Sequence, residues 1–389
     1  MDLHFASYLG TAWEFPDGKV SYAELDRRVT AKIAALVAQG VKPGDSVDVC
    51  AVLNSEWIVT WLALVKLGAV GVMRHPKDKG EVKEKDEVKQ AGLISMIRTS
   101  GTTGEPKWAG HDLSAYLESA AVVNAALGVS EQSRIWLNLP VTHIGGLAWV
   151  WRALLARATV VVSDTLPPGT THLSWVPTQL IRALRDPAQI DALRQVSVIY
   201  LGGAPVAESV LQTAWSLGLA VWPTYGMTEM TSSIAIRRVG EPGFRVLPGR
   251  EVKLDASGGI WVRGKSLFSG YVRGNGLVLP LDSEGFFETR DVGAWAGDFL
   301  TILGRCDDLM IRGGENIWPS EIEAALGAVS GVTAAKVWGV ADPEWGQVVH
   351  ARVWVAPEWV GDCAEIQQNL RGFLPGFKIP TFLDIIRDG

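Results

Sequence analysis

The sequence predicts an α/β protein: a large N-terminal domain of layered α/β sheets with a small β subdomain, then a small α+β C-terminal domain. Strand-like and helix-like patterns alternate over most of the chain, which is typical of βαβ units and a parallel sheet. From Glu251 the pattern changes to short strands separated by glycine turns, which indicates the β subdomain. The 389 residues exceed the length of one typical core. We expect domains at residues 1–304 and 305–389.

The N-terminal domain is predicted to begin with a helix at the capping box Ser21-Tyr22-Ala23-Glu24. Apolar side chains follow at helical spacing as far as Leu36, and Gly40 supplies a stop. Pro43-Gly44-Asp45 predicts a turn. The later elements are predicted as strands at 46–53, 134–139, 159–163, 173–176, 196–201 and 219–222, and as helices at 57–67, 145–156 and 177–185, with a last helix ending at 217.

The β subdomain and the C-terminal domain are predicted to consist of short strands and two helices. The segment 304–308 is predicted to be the boundary between the two domains. A C-terminal domain of this size is small but feasible. Its predicted elements, with those of the β subdomain, are strands at 251–254, 260–263, 299–303, 333–340 and 348–355, and helices at 320–326 and 365–373.

Charge argues against a nucleic-acid-binding protein. The formal net charge is −6, whereas binding to the phosphate backbone favours a basic surface. The run at 77–89 contains charges of both signs and almost no apolar residue. Because these charges cancel, we expect a solvated loop or helix surface there.

The cysteines and the apolar runs predict a cytoplasmic protein without a membrane span. Cys50, Cys306 and Cys363 show no paired spacing, which fits a reducing compartment and predicts neither a zinc site nor a disulfide framework. The N-terminus lacks the pattern of a secretory signal, and no apolar run reaches about 18 residues. The sequence leaves the oligomeric state open, a homo-oligomer included.

The segment from Ile97 to Lys107 combines hydroxyl side chains, two glycines, a proline and a lysine. Glycine lets the backbone approach a ligand closely, hydroxyl and N–H groups can surround an oxyanion, and lysine adds a point charge for phosphate. Because Pro106 precedes Lys107, the segment differs from the common P-loop and is predicted to be a mobile loop. A polar surface turn is the alternative interpretation.

Polar segments also follow three of the predicted strands: His143, Gly202-Gly203, and Tyr225 to Glu229. Ligands of open α/β sheets bind beyond the carboxyl ends of the strands. We therefore expect these three segments to meet at one cleft.

Four segments of this sequence, in this order, resemble the adenylate-forming superfamily, which comprises acyl- and aryl-CoA synthetases, luciferases and carrier-loading adenylation domains. They are residues 99–107, Tyr225-Gly226-Met227-Thr228-Glu229, residues 288–293, and residues 304–316. Within the superfamily, the chain is most similar to the o-succinylbenzoate–CoA ligase family of menaquinone biosynthesis. That resemblance depends on residues 176–180, 247–253, 269–271 and 282–291, including Arg290-Asp291 where relatives usually have Gly-Asp.

The resemblance implies a ligase that uses ATP, Mg²⁺ and coenzyme A. A carboxylate attacks the α-phosphorus of ATP to give an acyl-adenylate and pyrophosphate, and the CoA thiol then displaces AMP. The first step places negative charge on phosphate oxygens, for which fixed cations and N–H dipoles are suited. The residues implied to hold the β- and γ-phosphates are Thr99, Ser100, Gly101, Thr102, Thr103, Gly104 and Lys107.

The same resemblance implies roles for single residues. Glu229 would bind Mg²⁺ through hard oxygen ligands, and His143 would lie beside the substrate carboxylate, although a histidine after a strand is often structural. Thr228 would contact the α-phosphate, and adenine would lie between Tyr225, followed by Gly226 and Met227, and the segment Gly203, Ala204 and Pro205; a core tyrosine is the alternative for Tyr225. Asp291 and Arg305 would bind the ribose, with a surface ion pair as the alternative. Asp307 would be the hinge of the mobile small domain, and Gly313 with Gly314 would line the path of the CoA thiol, with a glycine turn as the alternative for the glycines.

The sequence departs from its relatives at two places. The charged run at 77–89 replaces a longer segment, so we expect a trimmed N-terminal domain. Relatives also end with a Gly-Lys segment whose lysine contacts the α-phosphate, whereas this chain stops at Arg387-Asp388-Gly389 and Lys378 lies too early to match it. We therefore expect an apparently truncated C-terminal domain, and adenylation impaired relative to thioester formation unless another cation substitutes.

Four functions compete on this sequence: an o-succinylbenzoate–CoA ligase, a ligase for another aryl or acyl acid, an adenylation domain that feeds a carrier protein, and a non-catalytic nucleotide-binding relative. No carrier-like segment follows, which disfavours the third, and Lys107, Glu229 and Asp291 argue against the fourth. An aromatic dicarboxylate requires a further cationic or hydroxyl partner, for which Thr178 and Gln179 are candidates.

Overall fold

The computed structural model describes residues 7–16, 18–75, 92–99, 107–274, 276–372 and 374–387. The predicted charged surface at 77–89 lies outside the described residues. So do five of the candidate phosphate-binding residues, namely Ser100, Gly101, Thr102, Thr103 and Gly104.

Strands and helices alternate through the first two thirds of the chain, and strands predominate after them. In chain order they are β1 (Thr11–Phe15), β2 (Gly18–Ser21), α1 (Tyr22–Ala38), β3 (Ser46–Cys50), α2 (Ser55–Leu67), β4 (Val70–Arg74), β5 (Leu93–Thr99), β6 (Lys107–Asp112), α3 (Leu113–Leu127), β7 (Arg134–Trp136), α4 (Ile144–Ala156), β8 (Thr159–Val161), β9 (His172–Trp175), α5 (Pro177–Ala183), α6 (Pro187–Leu193), β10 (Val198–Leu201), α7 (Glu208–Ser216), β11 (Val221–Met227), β12 (Ser232–Ile236), β13 (Arg245–Val246), β14 (Arg250–Leu254), β15 (Gly259–Gly264), β16 (Gly270–Arg273), β17 (Gly276–Val278), β18 (Phe287–Ala296), β19 (Phe299–Arg305), β20 (Met310–Arg312), β21 (Glu315–Ile317), α8 (Pro319–Gly327), β22 (Val332–Asp342), β23 (Gly346–Val355), α9 (Cys363–Arg371) and β24 (Phe382–Arg387), with short 3₁₀ turns at Thr228–Met230, Cys306–Asp308 and Gly376–Lys378.

The chain folds into two compact units. The first comprises the described residues of Met1–Gly203, Leu219–Val252 and Val262–Phe287, and the second those of Ala204–Gly218, Lys253–Trp261 and Glu288–Gly389. The predicted division between residues 304 and 305 stays a prediction.

The first unit contains two sheets. The larger has the strand order β13-β12-β11-β10-β9-β7-β8-β1-β2, and its strands from β11 to β1 run parallel, while β12, β13 and β2 are antiparallel to their neighbours. The smaller has the order β17-β16-β6-β5-β4-β3 and is parallel only from β3 to β5. Strands of both sheets share one apolar core with α1 to α4, in which Trp13, Trp61, Trp149 and Trp151 are fully buried.

Side chains of the sequence fix the ends of these helices. The hydroxyl of Ser21 accepts a hydrogen bond from the Glu24 N–H, as the capping box predicts, and Asn54 and Asp112 cap α2 and α3 in the same way. Gly68 and Gly128 end α2 and α3 in the left-handed conformation that glycine adopts without strain.

The remaining strands form two sheets, of which one lies mostly and the other wholly in the second unit. One has the order β14-β15-β18-β19, and the first two of its strands begin or end in the first unit. The other has the order β21-β20-β23-β22, with β24 pairing in parallel with β23. Helices α8 and α9 bury Ile322, Leu326, Ile366 and Leu370 against this second sheet.

The predicted fold class is confirmed, with three corrections to the predicted elements. The sheets are mixed rather than parallel, because hairpins extend both of them. Strand β5 ends at Thr99 and strand β6 begins at Lys107, and these two residues pair with each other, whereas a loop was predicted over this segment. The strand predicted at 219–222 continues to Met227, because β12 supplies backbone partners for Tyr225 to Met227. Elements that were not predicted include helices α3 and α6 and strands β1, β2, β4, β12, β13, β16, β17, β18, β20, β21 and β24. None of the helices in the described part of the chain has the length and hydropathy that a transmembrane span requires.

Candidate active site

The turn Thr228–Met230 and the next residue, Thr231, lie between β11 and β12 and are held through three backbone carbonyls by other segments. The Thr228 carbonyl lies 2.8 Å from His111 Nε2, and the Glu229 carbonyl accepts a hydrogen bond from the Phe268 N–H at 2.7 Å. The Thr231 carbonyl accepts one from the Ser119 hydroxyl at 2.6 Å. Because these three carbonyls each have a donor within the protein, the turn is fixed independently of any ligand.

The side chain of Glu229 is held in this turn by a tyrosine. Glu229 is buried, with 8% of its surface exposed, and its Oε1 accepts a hydrogen bond from the Tyr271 hydroxyl at 2.6 Å. The ring of the same tyrosine lies below the ammonium of Lys107, with 5.0 Å from Nζ to the ring centroid. The structure therefore brings together Glu229 and Lys107, two residues that the sequence analysis singled out separately.

Gly226, in the last residues of β11, is required by the close approach of β12. A Cβ at Gly226 would lie 2.0 Å from the Ser232 carbonyl oxygen and 2.8 Å from the Ser233 Cα, both backbone atoms that cannot rotate away. This observation gives a structural reason for the glycine between Tyr225 and Met227.

We expect Gly226→Ala to lower the free energy of unfolding by about 2 kcal/mol or more, because the β11–β12 pairing must shift to admit a methyl group. Urea unfolding would measure the change. Gly276→Ala is the matched control, since its Cβ would meet only the Arg273 carbonyl oxygen, at 3.8 Å. Equal stability of the two variants would contradict the close approach at Gly226.

His111 lies behind the turn and is fully buried. Since a carbonyl oxygen only accepts, the 2.8 Å contact with Thr228 requires the proton on Nε2, and Nδ1 has no hydrogen-bond partner among the described residues. Burial lowers the pKa of the His111 imidazole to about 4. The ring is therefore neutral at pH 7 and donates to the Thr228 carbonyl.

This burial predicts a loss of stability in mild acid. Below pH 6.5 the unfolded chain binds a proton that the folded imidazole takes up only near pH 4, so stability falls as the pH drops through this interval. From this group alone, we expect the free energy of unfolding to be roughly 3 kcal/mol lower at pH 4 than at pH 7. Urea unfolding at steps between pH 7 and pH 4 would measure it, and His111→Gln is expected to have a shallower pH dependence. Parallel curves for the two proteins would contradict this assignment.

The ends of β10 and β11 lie side by side, with Leu201 opposite Pro223, while the predicted cleft that also includes His143 stays a prediction. A Cβ at Gly202 would lie 2.7 Å from the Thr224 Cγ2, and Gly203 adopts φ +85°, the left-handed region open to glycine. Tyr225 is buried. His143 is exposed as the N-cap of α4, where its ring caps no N–H, and the neighbouring Thr142 hydroxyl is buried without a partner among the described residues.

Arg152 is a buried cation that the sequence analysis missed. It lies in α4 with 1% of its surface exposed, and its guanidinium carbon lies 4.7 Å from the Trp149 ring centroid and 5.3 Å from that of Tyr200. One amino group donates to the Ser232 hydroxyl at 2.9 Å, while Nε has no hydrogen-bond partner in the described part of the chain. No carboxylate of a described residue forms an ion pair with it. Burial lowers the pKa of the Arg152 guanidinium to about 10, so it remains charged at neutral pH.

Hydroxyl groups and a second buried cation surround this arginine. The Tyr200 hydroxyl donates to the Ser233 hydroxyl at 2.5 Å, and the Thr224 hydroxyl donates to the same oxygen at 3.0 Å. Arg250, 5% exposed, donates from Nε to the Ser233 carbonyl at 3.2 Å. The first unit therefore contains a buried region that is positively charged and rich in hydroxyls. One of its hydroxyls belongs to Ser232, three residues after Glu229 in the chain.

In the second unit, the two candidate ribose-binding residues face each other across paired strands. Asp291 on β18 lies opposite Arg305 on β19, with 3.7 Å between the carboxylate and the guanidinium. Asp307 forms an ion pair of 2.7 Å with Arg290. Arg290 adopts φ +62°, in the left-handed region that glycine occupies without strain.

The candidate glycines of the CoA path form a left-handed turn. Gly313 and Gly314 have φ +56° and +87°, and the Gly313 N–H donates to the Trp345 carbonyl at 2.8 Å. A Cβ at Gly313 would lie 2.9 Å from the Trp345 ring. Ala204 and Pro205 are exposed and precede α7.

Comparison with known proteins identifies the family. The family model of AMP-binding enzymes matches residues 9–82 and 73–272, and that of the AMP-binding enzyme C-terminal domain matches residues 321–388. The chain belongs to the AMP-binding enzyme family. It is an ATP-dependent CoA ligase that forms an acyl-adenylate, and the predicted superfamily and enzyme class are confirmed.

Similar members of this AMP-binding family act on o-succinylbenzoate. The 2-succinylbenzoate–CoA ligase of Salmonella typhimurium is 32% identical over 410 residues, which cover 91% of this chain and 88% of that protein. An arginine-to-lysine variant of Escherichia coli MenE with bound OSB-AMS has a TM-score of 0.83 and 28% identity, and covers 97% of this chain and 92% of that one. Bacillus subtilis o-succinylbenzoate CoA synthetase in complex with the acyl-adenylate OSB-AMP has a TM-score of 0.83 and 25% identity, with coverage of 97% and 91%.

Proposed function

We propose that the protein converts o-succinylbenzoate into o-succinylbenzoyl-CoA by way of an acyl-adenylate. The observation that supports this choice of acid is Arg152, a charged guanidinium that is fully buried between aromatic rings and has no carboxylate partner among the described residues. o-Succinylbenzoate has two carboxylates joined through an aromatic ketone. One carboxylate must react with ATP, and the other needs a buried cation to offset its desolvation.

The position of Arg152 suits the carboxylate that does not react. Its amino group contacts Ser232, which follows Glu229 by three residues, so the Cα atoms of Ser232 and Glu229 lie at most about 11 Å apart. Trp149 and Tyr200 offer faces for an aromatic ring, and the hydroxyls of Ser232 and Ser233 offer donors. Pairing with a substrate carboxylate would complete the hydrogen bonds of the guanidinium, because a planar guanidinium can donate two parallel N–H bonds to the two carboxylate oxygens. These contacts replace Thr178 and Gln179 as the leading candidates.

For the adenylation step, we propose that Lys107 and Thr99 bind phosphate oxygens of ATP, together with Ser100, Gly101, Thr102, Thr103 and Gly104. Thr228 would contact the α-phosphate and His143 the reacting carboxylate. Glu229 fits Mg²⁺, because it is a buried carboxylate whose side chain, among the described residues, has one oxygen engaged, by Tyr271, and Mg²⁺ in such sites takes one or two carboxylates and the phosphates. When bound, Mg²⁺ neutralises charge on the phosphates.

For the nucleotide and for CoA, we propose the roles that the resemblance implies. Asp291 and Arg305 would bind the ribose hydroxyls through charged hydrogen bonds. Adenine would lie between Tyr225, with Gly226 and Met227, and the segment Gly203, Ala204 and Pro205. Asp307 would be the hinge of a C-terminal domain that starts at residue 305, and Gly313 and Gly314 would line the path of the CoA thiol. A cytoplasmic location is part of this proposal.

A pyrophosphate-release screen tests the proposed acid. ATP, Mg²⁺ and a panel of aryl and acyl acids are supplied with and without CoA. We expect o-succinylbenzoate to give the highest kcat/KM, and CoA to be required for sustained turnover. A higher value for a monocarboxylic aryl or fatty acid would overturn the proposed substrate while leaving the ligase activity intact.

A further inference from the structure

Tyr271 joins the two groups that the proposed function assigns to the phosphates and the metal. Its hydroxyl donates to Glu229 Oε1 at 2.6 Å, and its ring centroid lies 5.0 Å from Lys107 Nζ. A single side chain therefore contacts an anion through its polar end and a cation through its face. Lys107 and Glu229, both of which the structure describes, form no ion pair with each other.

The backbone around Tyr271 fixes this arrangement. Strand β16 pairs with β6, so that Tyr271 lies opposite Ala109, two residues from Lys107. Phe268 packs edge-on against the Tyr271 ring with 4.9 Å between the centroids. The N–H of the same phenylalanine donates to the Glu229 carbonyl. One segment, Phe268 to Tyr271, therefore holds both the backbone and the carboxylate of Glu229.

This arrangement keeps two opposite charges of the proposed site apart. A lysine and a glutamate that serve one nucleotide carry opposite charges and would neutralise each other if they paired. A phenol can hydrogen-bond the carboxylate, which fixes its orientation and leaves its second oxygen available. The face of the same ring attracts an ammonium group and holds it away from the carboxylate.

We propose that Tyr271 is a positioning residue of the adenylation site, which orients Glu229 toward the metal of Mg-ATP and keeps Lys107 from pairing with Glu229. The inference rests on the proposed roles of Lys107 and Glu229. It goes beyond them by assigning a task to a side chain that itself need not contact the nucleotide.

The test separates metal-dependent from metal-free nucleotide binding. ATP affinity is measured by calorimetry over a range of free Mg²⁺, and again with EDTA. Tyr271→Phe keeps the ring and removes the hydroxyl, so we expect the Mg²⁺ concentration for half-maximal tightening to rise about tenfold, with metal-free affinity unchanged. Tyr8→Phe is the matched control, because the Tyr8 hydroxyl also donates to a glutamate, Glu131, at 3.3 Å.

A second pair of variants tests the separation of charges. Tyr271→Leu removes the ring as well, so Lys107 can pair with Glu229, and we expect metal-free ATP affinity to fall about fivefold. Adding Glu229→Gln to Tyr271→Leu removes the competing carboxylate and is expected to restore that affinity. A merely structural role of Tyr271 would not produce this rescue, and thermal melts would establish that each variant is folded.

The outcomes distinguish this inference from the proposed function. If the wild-type protein binds Mg-ATP but Tyr271→Phe has the same Mg²⁺ dependence, the role of Tyr271 is overturned and the proposed function stands. The same holds if the double variant shows no rescue. If the wild-type protein binds no ATP with or without Mg²⁺, both proposals fail.

Discussion

Arg152→Met is expected to lower kcat/KM for o-succinylbenzoate by about 100-fold or more, because loss of one partner of a buried charge pair typically costs 2–5 kcal/mol. The variant should fold, since an apolar side chain of similar length replaces a buried charge that has no carboxylate partner among the described residues. Steady-state kinetics with saturating ATP and CoA would measure the loss. Arg194→Met is the matched control, because Arg194 is exposed at the end of α6.

Two monocarboxylate analogues sharpen this experiment. 4-Oxo-4-phenylbutanoate lacks the ring carboxylate, and 2-butanoylbenzoate lacks the succinyl carboxylate. The analogue that is adenylated identifies the reacting carboxylate. For the wild-type protein, kcat/KM for o-succinylbenzoate should exceed kcat/KM for that analogue by about the same factor by which Arg152→Met lowers kcat/KM for o-succinylbenzoate. If Arg152→Met retains that preference, Arg152 does not bind the second carboxylate.

Glu229→Gln is expected to lower the rate of adenylation by about 10²- to 10³-fold, the effect of removing one preorganised group that stabilises charge in the transition state. The amide still accepts the Tyr271 hydrogen bond but loses the charge that attracts Mg²⁺. Single-turnover pyrophosphate release measures this step. Thioester formation from added acyl-adenylate should change less, because that step releases AMP without the β- and γ-phosphates.

The control for this variant is Glu284→Gln, which removes an exposed carboxylate from the same unit. We expect it to keep the wild-type rate of pyrophosphate release. A Glu229→Gln protein that releases pyrophosphate at the control rate, at limiting as well as saturating Mg²⁺, would remove Glu229 from the metal site.

Local rules predicted much of the framework that positions the site. The hydroxyl of Ser21 caps α1, and the glycines at 202 and 203 follow a buried strand, as expected from capping and from sheet topology. Pairing partners far along the chain were not predictable in this way. Thr99 and Lys107 lie in strands because an antiparallel ladder forms between them, and a cluster of hydroxyls and glycines gives no sign of that ladder.

The proposed acid-binding residue Arg152 and the proposed positioning residue Tyr271 could not be recognised from the sequence for a different reason. Arg152 is the one charged residue of the apolar helix α4, a signal that the sequence does contain, but its significance depends on which acids lie near it. Tyr271 gains its proposed role only because β16 pairs with β6 and brings the hydroxyl to Glu229. Both depend on tertiary contacts between residues more than 40 positions apart.

The most direct test of the proposed reaction is product analysis by mass spectrometry after incubation with ATP, Mg²⁺, o-succinylbenzoate and CoA. We predict AMP and o-succinylbenzoyl-CoA in equal amounts, with neither formed when the acid is omitted. Formation of ADP in place of AMP, or of AMP without any thioester, would contradict the assignment of this chain as an o-succinylbenzoate–CoA ligase.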